Sequence, residues 1–549
     1  MSKTKDDTNG SFMVKHPVLF MAGVLLYCIL FARGDSSLMG PVDMFFVTGG
    51  FGAFCLYVAK AKIPACAISG VAIGMISALS CLLGADNNLI LSAGGTVIIA
   101  GSLIYLRIKG SFDHDQLIHL ILAMGFWLMF CYSQYTPCWL RQNDVGFFGE
   151  TVFDPHHAGY ISYIRYYGWI PAADVREMDQ WYHPPFHHLI CAYFLRLYGM
   201  VFPKYAQNYD VLQMFTTVYS MLTVVFMRRI VKMFGLTDRT DLTMTLMMAV
   251  FPFFVFNAGE LNNDILSILL FVMSVYFIFR WYREGRKMVH VVLSALTIGL
   301  GMMTKLSVWM AAVPVGIILL AVLIEKKGKD LKLWGQYGIF ALISFPLGLW
   351  FPIRNYLGWG VPPTYIPVPF YDSSLEKYSV WQRLFDVFDN SGYCNIPYFA
   401  VWSAVFDDDD YRVHMFFGTL SFIIFTIVAF LAIAAFIGVI YLIIRTVRKR
   451  EYTWEIISLT ALLAVELISF TIFCFKFPFI CTMNFRYIVP VLIPLFLGAG
   501  VLRDRIRRDD RIRILGTITD ISVVAVSVMS YVFYISLWYY DMWLELQNL

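Results

Sequence analysis

Residues 413–445 read VHMFFGTLSFIIFTIVAFLAIAAFIGVIYLIIR, with no carboxylate and no Lys or Arg before the final residue. A run of this length crosses a hydrocarbon core about 30 Å thick as a helix. Lipid offers nothing to an unpaired backbone amide, so a spanning segment must satisfy its own hydrogen bonds. The run is solidly apolar rather than alternating, which excludes a barrel strand. Outward from it, similar runs lie near 17–33, 42–59, 64–84, 88–106, 116–134, 207–231, 239–257, 262–281, 289–304, 306–324, 333–351, 453–476, 486–502 and 518–540. The reading is therefore an all-α, polytopic transmembrane protein of about fifteen spans, with long outer loops carrying juxtamembrane helices. Composition agrees. The 549 residues are 59% hydrophobic and 15% charged, with mean hydropathy +0.66, against about 25% charged in soluble domains. A soluble enzyme on a single anchor is excluded.

Orientation follows from the short connections. Lys60 and Lys62, Arg107 and Lys109, Arg228 and Arg229, Arg280 to Lys287, Lys326 to Lys332, Arg445 to Arg450 and Arg503 to Arg513 all fall on one face of this span list. That face is cytoplasmic by the bias of Lys and Arg. The N-terminus lies inside and the C-terminus outside, and the opposite face receives the long loops 135–182 and 352–412. The run RDRIRRDDRIR anchors topology at an anionic leaflet rather than binding nucleic acid. The N-terminal segment lacks the cleavage site of a secretory signal. Residues 1–112 form a four-span module joined by tight loops, and residues 113–549 carry the polar loops. Residues 184–201 are apolar, yet counting them as a crossing would invert every later basic cluster. They are read as an interfacial or re-entrant helix. Most cysteines lie in apolar runs as small hydrophobes; Cys138 and Cys394 share the outer side, where a disulfide between them is open.

The loop RQNDVGFFGETVFDPHHAGYISYIRYYGWIPAADVREMDQWYHPPFHH, residues 141–188, holds five of the ten histidines. Such polarity in a mostly apolar chain marks recognition or chemistry. Asp144 follows a span directly, so its carboxylate sits at the outer surface, where it can take a proton from a hydroxyl attacking a lipid-borne electrophile; the alternative is a loop-capping Asp. In YHPPFHH two prolines fix a helix entry, and His183 and His187, which share a helix face if the helix starts at Pro184 or before, can converge with Asp144 as hydrogen-bond donors or as metal ligands. Lys305 and Arg486 sit at outer span ends. Cations there are costly, and both residue types hold phosphate, or snorkel to headgroups. The stretch AGELNNDIL (Glu260, Asn262, Asn263, Asp264) lines a pocket or caps the next helix. Asp407 to Asp410 form a cation site or a solvated face.

The order QNDVGFF, HHAGYISYI, YHPPFHH, LNND, MTKLS, FRYIVPVLIP resembles the GT-C membrane glycosyltransferases, closest to the protein O-mannosyltransferase and aminoarabinose-transferase-like group, glycosyltransferase family 39 and relatives. The resemblance covers roughly residues 115–500. Phe186 replaces the leucine of the His-Pro-Pro-Leu element, and Asn143–Asp144 replaces the Asp-Glu pair of many members, which removes an adjacent carboxylate. The resemblance implies an inverting transfer from a polyprenyl-phosphate sugar to an acceptor hydroxyl on the outer or lumenal face. It implies Asp144 as base, with Lys305 and Arg486 as the candidates for the carrier phosphate. Asn143, His156, His157, His183, His187, Asn262, Asn263 and Asp264 are the candidate substrate-binding residues, no metal ligand is assigned, and a divalent cation stays open. The expected partners are the lipid-linked donor, an acceptor and membrane lipids, without nucleic acid. The expected membrane is the plasma (inner) membrane or the endoplasmic reticulum. The competing class is a transporter or flippase of lipid-linked sugars, although such proteins usually show paired broken spans and internal repeats; a third is a non-catalytic binder of lipid-linked sugar.

Overall fold

The computed structural model describes residues 16–110, 112–142, 144–148, 156–367, 374–387, 393–450 and 452–547. Among these every regular element is a helix, as backbone satisfaction in lipid requires. The helices of four or more residues of α type are α1 (Pro17–Phe31), α2 (Pro41–Val58), α3 (Ile63–Leu82), α4 (Asn87–Ile108), α5 (His114–Tyr135), α6 (His156–Tyr167), α7 (Phe186–Val201), α8 (Gln213–Lys232), α9 (Asp238–Ala249), α10 (Pro252–Phe256) and α11 (Asp264–Arg283). They continue with α12 (Met288–Met302), α13 (Ala312–Glu325), α14 (Leu331–Trp359), α15 (Val380–Leu384), α16 (Ile396–Phe406), α17 (Met415–Lys449), α18 (Thr453–Lys476), α19 (Leu492–Arg507), α20 (Arg513–Ile535) and α21 (Leu537–Gln547).

Eleven helical segments of the described residues are long and apolar enough to cross a membrane, against about fifteen expected. Two of the expected spans, α1 and α12, form 15-residue helices, about 22 Å at 1.5 Å per residue, short of the hydrocarbon core. Another is broken: α9 stops before Pro252, which cannot donate to the preceding turn, and α10 restarts there. Caps mark other ends. Asp86 accepts from the Leu89 amide at 3.0 Å to open α4, and Asn395 accepts from Tyr398 at 2.8 Å to open α16, each satisfying an amide the helix cannot. Gly360, with φ 66°, ends α14 in the left-handed region that favours glycine.

Helices α5, α8 and α11 are buried along most of their length and form the centre; α3, α14 and α17 expose most of theirs, and their outward Ile, Val and Phe side chains suit lipid. The leading helices join this centre through α5: Trp127 stacks on Phe51 with centroids 4.1 Å apart, and its indole N–H donates to Leu91 O at 3.1 Å. The apolar stretch 184–201 contains α7, whose 16 residues bury His187, His188, Cys191 and Leu195 and pack on α6. Among the described residues no disulfide joins Cys138 to Cys394, the pairing left open by the sequence.

The two ends of the bundle differ in chemistry. At one end Lys60 pairs with Asp113 at 3.0 Å, Arg228 and His114 meet Asp241 at 2.6 and 2.9 Å, Arg283 meets Glu455 at 2.9 Å and Arg286 meets Glu325 at 3.6 Å. The basic clusters of the short connections therefore gather together. The other end carries α6, α7, α15, α16 and the polar loops.

Glycine sets the closest helix approach. A Cβ on Gly438 of α17 would lie 2.3 Å from the Gly498 carbonyl oxygen of α19, and one on Gly498 would lie 2.6 Å from the Val439 nitrogen. Small residues at such crossings allow the backbone contact that drives helix association in lipid. Gly438→Leu should therefore cost about 1–3 kcal/mol, the usual range for overpacking, seen as a lower unfolding temperature in detergent than the wild type or the lipid-facing control Ile437→Leu.

Candidate functional site

Two buried glutamines fix the loop that follows α5. Gln213, at the start of α8, donates to the carbonyls of Thr136 and Gly259 at 2.7 and 2.6 Å. Gln142 accepts from the Leu261 amide at 2.5 Å and donates to Asp144 Oδ1 at 2.8 Å. The Asp144 carboxylate is thus tied, through Gln142, to the 257–263 loop, which Gln213 joins to the end of α5. Backbone amides of His157 and Ala158 donate to the carbonyls of Asp144 and Val145 at 3.3 and 2.7 Å, which hangs the start of α6 from the same loop.

Imidazoles line the other side of Asp144. His157 Nε2 lies 3.8 Å from Asp144 Oδ2, and its Nδ1 lies 2.9 Å from His188 Nε2. The His157 ring is nearly parallel to those of His183 and His188, with centroids 5.7 and 5.2 Å apart. The paired prolines place this stack: α7 opens at Phe186, whose amide donates to Met303 O at 2.9 Å. His183 consequently lies before the helix and does not share a face with His187, as a start at Pro184 would have required. His187 is fully buried and faces Cys191 Sγ at 3.5 Å. His156 turns away to Asp179, 3.0 Å from its Nδ1.

Both cations converge on the same place. Arg486 Nη1 is 3.4 Å from Asp144 Oδ2, and its Nε is 3.9 Å from Asp264 Oδ2. Lys305 pairs with the other Asp264 oxygen. Both cationic groups stand 5.3 Å from the Tyr487 ring centroid. Asp144 and Arg486 keep about a quarter of their side-chain surface open, whereas Asp264 is buried. Arg486 Nε is itself buried with no hydrogen-bond partner, a donor awaiting an acceptor, since buried N–H groups are almost always satisfied. The expected base and one of the expected phosphate-binding cations, Asp144 and Arg486, are thus in direct contact, and Lys305 joins them through Asp264.

Acidic residues crowd this centre beyond those foreseen. Asn484 donates to Asp407 at 2.6 Å and to Asp408 at 3.3 Å, and accepts from the Arg486 amide at 2.9 Å. Asp409 pairs with Arg141 at 2.6 Å, and Asp410 with Arg412 at 2.6 Å. The Asp407–Asp410 run is therefore a bonded corner, neither a free cation site nor a plain solvated face. Asp407 takes φ 53° and ψ −131° at the end of α16, a conformation that costs a non-glycine residue energy and is retained where surroundings over-determine it. Among the described residues no three or more His, Cys, Asp or Glu side chains are set to hold a metal ion.

Asn262 bonds to Glu260 and caps the Asp264 amide at 2.9 Å; Asn263 donates to Thr304 O at 2.7 Å. Their bonds go to protein, and Asn262 takes the capping role that the sequence had left as the alternative. Asn143 lies outside the described residues. Gln142, His188, Asn484 and Tyr487 were not among the expected residues. Gln142 and His188 lie within the polar loop already singled out, and Asn484 and Tyr487 flank Arg486, so proximity in sequence was the available signal.

Electrostatics follow from this crowding. Burial would push the Asp144 carboxyl up, but His157, Arg486 and Gln142 outweigh it and hold it well below the usual carboxylate range. Burial pushes Glu260 well above its ordinary value, and the charges of Asp407, Asp144 and Asp264 add to this against Arg486. Asp407 is pushed up to about 8 by burial and by Asp408. Burial, with Lys305 and His157 beside it, drives His183 well down, so that its imidazole stays neutral. The centre thus holds the ionised Asp144 beside Arg486 and the Lys305–Asp264 pair, with Glu260 and Asp407 pushed towards their neutral forms and a neutral His183 nearby. Such a set can bind an anion at the cations while offering a base a few ångströms away.

Comparison with known proteins adds the context. Residues 182–350 match the model of a family described as dolichyl-phosphate-mannose-protein mannosyltransferase, a segment that includes YHPPFHH, Asp264 and Lys305. No curated protein sequence matches the chain. Among solved structures, ArnT from Cupriavidus metallidurans in the apo state is similar, with TM-score 0.47 and 12% identity over 77% of this chain and 76% of that one. The protein resembles the GT-C membrane glycosyltransferases, as its ordered motifs indicated, and the mannosyltransferase match over residues 182–350 supports an integral membrane glycosyltransferase.

Proposed function

We propose that the chain is an inverting glycosyltransferase that moves a sugar from a polyprenyl-phosphate donor to an acceptor hydroxyl, on the membrane face opposite its basic clusters. The observation that carries this reading is the Asp144–Arg486 contact, with the unpartnered Arg486 Nε beside it. In this mechanism the donor phosphate binds at Arg486 and Lys305 and draws Arg486 off Asp144. The acceptor oxygen attacks the anomeric carbon from the face opposite the phosphate. The carbon–oxygen bond to phosphate breaks, polyprenyl phosphate leaves with the electron pair, and the hydroxyl proton passes to Asp144. The cations stabilise charge as it develops on the leaving group. Departure of Arg486 also removes one of the influences that hold the Asp144 carboxyl low, so the base strengthens only once donor is bound. His157 and Gln142 keep the carboxylate aimed, and residues 1–112 act as a separate packing module.

Asp144→Asn keeps the size and the acceptor for Gln142 but removes the base. Transfer of sugar from a polyprenyl-phosphate donor by the purified variant should fall about 10²- to 10⁴-fold, the usual worth of general-base catalysis, with its elution profile and unfolding temperature close to wild type. Transfer within a few-fold of wild type would remove Asp144 from the mechanism.

Asp407 gives a pH expectation. It is neutral below about 8 and gains charge above it, which places a further anion near Arg486 and opposes phosphate binding. The KM for donor should therefore rise as pH passes from about 7 to about 9, and Asp407→Asn, permanently neutral, should flatten that rise.

A further inference from the structure

His188 stands in the first turn of α7, fully buried, and the transfer chemistry above gives it no part. Burial, with His157, His187 and His183 beside it, drives its imidazole well down, so that it is neutral. A neutral imidazole carries one N–H, on Nδ1 or on Nε2. His188 Nδ1 is buried with no hydrogen-bond partner, and its Nε2 lies 2.9 Å from His157 Nδ1. The ring planes are parallel to within 8° and their centres 5.2 Å apart, a separation reached only when the two nitrogens point straight at each other. One proton bridges this contact. If it sits on His157 Nδ1, then His188 must carry its own N–H on Nδ1, where nothing accepts it. A neutral His157 would then also turn a bare lone pair on Nε2 towards Asp144 Oδ2, 3.8 Å away; a doubly protonated His157 leaves the same orphan on His188. Buried N–H groups are almost always satisfied. With the proton on His188 Nε2, both conflicts disappear: His188 Nδ1 is only a lone pair, and His157 holds its N–H on Nε2, facing the carboxylate.

We propose that His188 is a positioning residue for the base: by donating to His157 Nδ1 it fixes the tautomer whose Nε2–H faces Asp144 Oδ2. The bond made by one ring nitrogen decides the state of the other. The proposal rests on the reading of Asp144 as the base. Arg486 Nη1 stands 3.4 Å from that same Oδ2, whereas Gln142 holds Oδ1. When donor phosphate draws Arg486 away, the His157 N–H is the donor that remains at Oδ2, and it keeps the carboxylate aimed and ionised. Each carboxylate oxygen has a second lone pair for the acceptor proton. Arg486, Tyr182, His183, Glu260, Asp408 and Cys481 also act on Asp144, and substitution of His188 leaves all six in place. Packing gives the competing account, since the Tyr160 ring lies 4.5 Å from that of His188.

The test uses full-length protein and two readouts. The first needs no donor: solid-state NMR of protein labelled with ¹⁵N at histidine, in liposomes, with the His157 signals identified by their loss in H157Q. Nε2 should be protonated and Nδ1 bare; a proton on His157 Nδ1 overturns the proposal. The second follows kcat and donor KM against pH with polyprenyl-phosphate mannose, for H188L, H188N and H188Q. Leu cannot donate and Asn stops short of His157, whereas the Gln amide can donate from the place of Nε2. For H188L and H188N kcat should fall about 10- to 100-fold, the worth of one hydrogen bond to a charged group, with KM unchanged. Loss of a donor to the charged form raises the Asp144 pKa in the donor complex, so the acid limb of kcat should move to higher pH. H188Q should keep kcat within a few-fold of wild type and leave the limb in place. Unchanged kcat in H188L, an equal loss in H188Q, a loss without movement of the limb, or failure of both H188L and H188N to fold overturns the role of His188. Near-normal transfer by D144N instead overturns the reading of Asp144 as base, and the His157 tautomer then stands with no catalytic use.

Discussion

One arginine holds the loop-bearing end of the molecule together. Arg486 is the positive centre to which Asp144, Asp264 and, through Asn484, Asp407 and Asp408 are all referred. Taking carboxylates out of water is costly, and removing the partner of a buried charge commonly costs 3–5 kcal/mol. The loops after α5, before α11, after α16 and after α18 are thus obliged to meet at one point, although they are hundreds of residues apart in the chain. The same charge that assembles the end is the one that a phosphate would take. Assembly and recognition compete for one guanidinium.

Much of this was legible from residue types. Solid apolar runs gave helices, the Lys and Arg clusters gave two distinct ends, and YHPPFHH gave a helix opening after two prolines, which is where α7 begins. Lys305 and Arg486 stand out because charge beside lipid is expensive, Asp144 because it directly follows a span, and the three are linked through Arg486 and Asp264. What the residues alone did not reveal were the pairings. Whether Lys305 is a free cation or the partner of Asp264 depends on a turn between α12 and α13 that brings two loops together. The acids Asp407 to Asp410 read as a solvated run because local composition says nothing about Asn484 or Arg141 arriving from elsewhere. His156 and His157 are adjacent, yet one meets Asp179 and the other Asp144; only the start of α6 decides between them. The count of about fifteen spans is not confirmed for a related reason, since a hydrophobicity pattern does not register that Pro252 interrupts a run or that a helix stops after 15 residues.

Packing in the bundle reaches the same end by a different means. With no hydrophobic drive between helices in lipid, close contact relies on small residues, and Gly438 and Gly498 bring α17 against α19. α19 follows directly on the short turns that carry Arg486 and Tyr487. The glycine crossing therefore helps set the height of the arginine relative to the loops it gathers.

Helix α17 has 35 residues, about 52 Å at 1.5 Å per residue, and so outreaches a hydrocarbon slab of about 30 Å. The surplus must be absorbed by leaning, by standing proud of the lipid or by locally swelling the bilayer, each at a price in elastic energy that depends on membrane thickness. The lipid around the protein therefore acts as a mechanical load along this one rod.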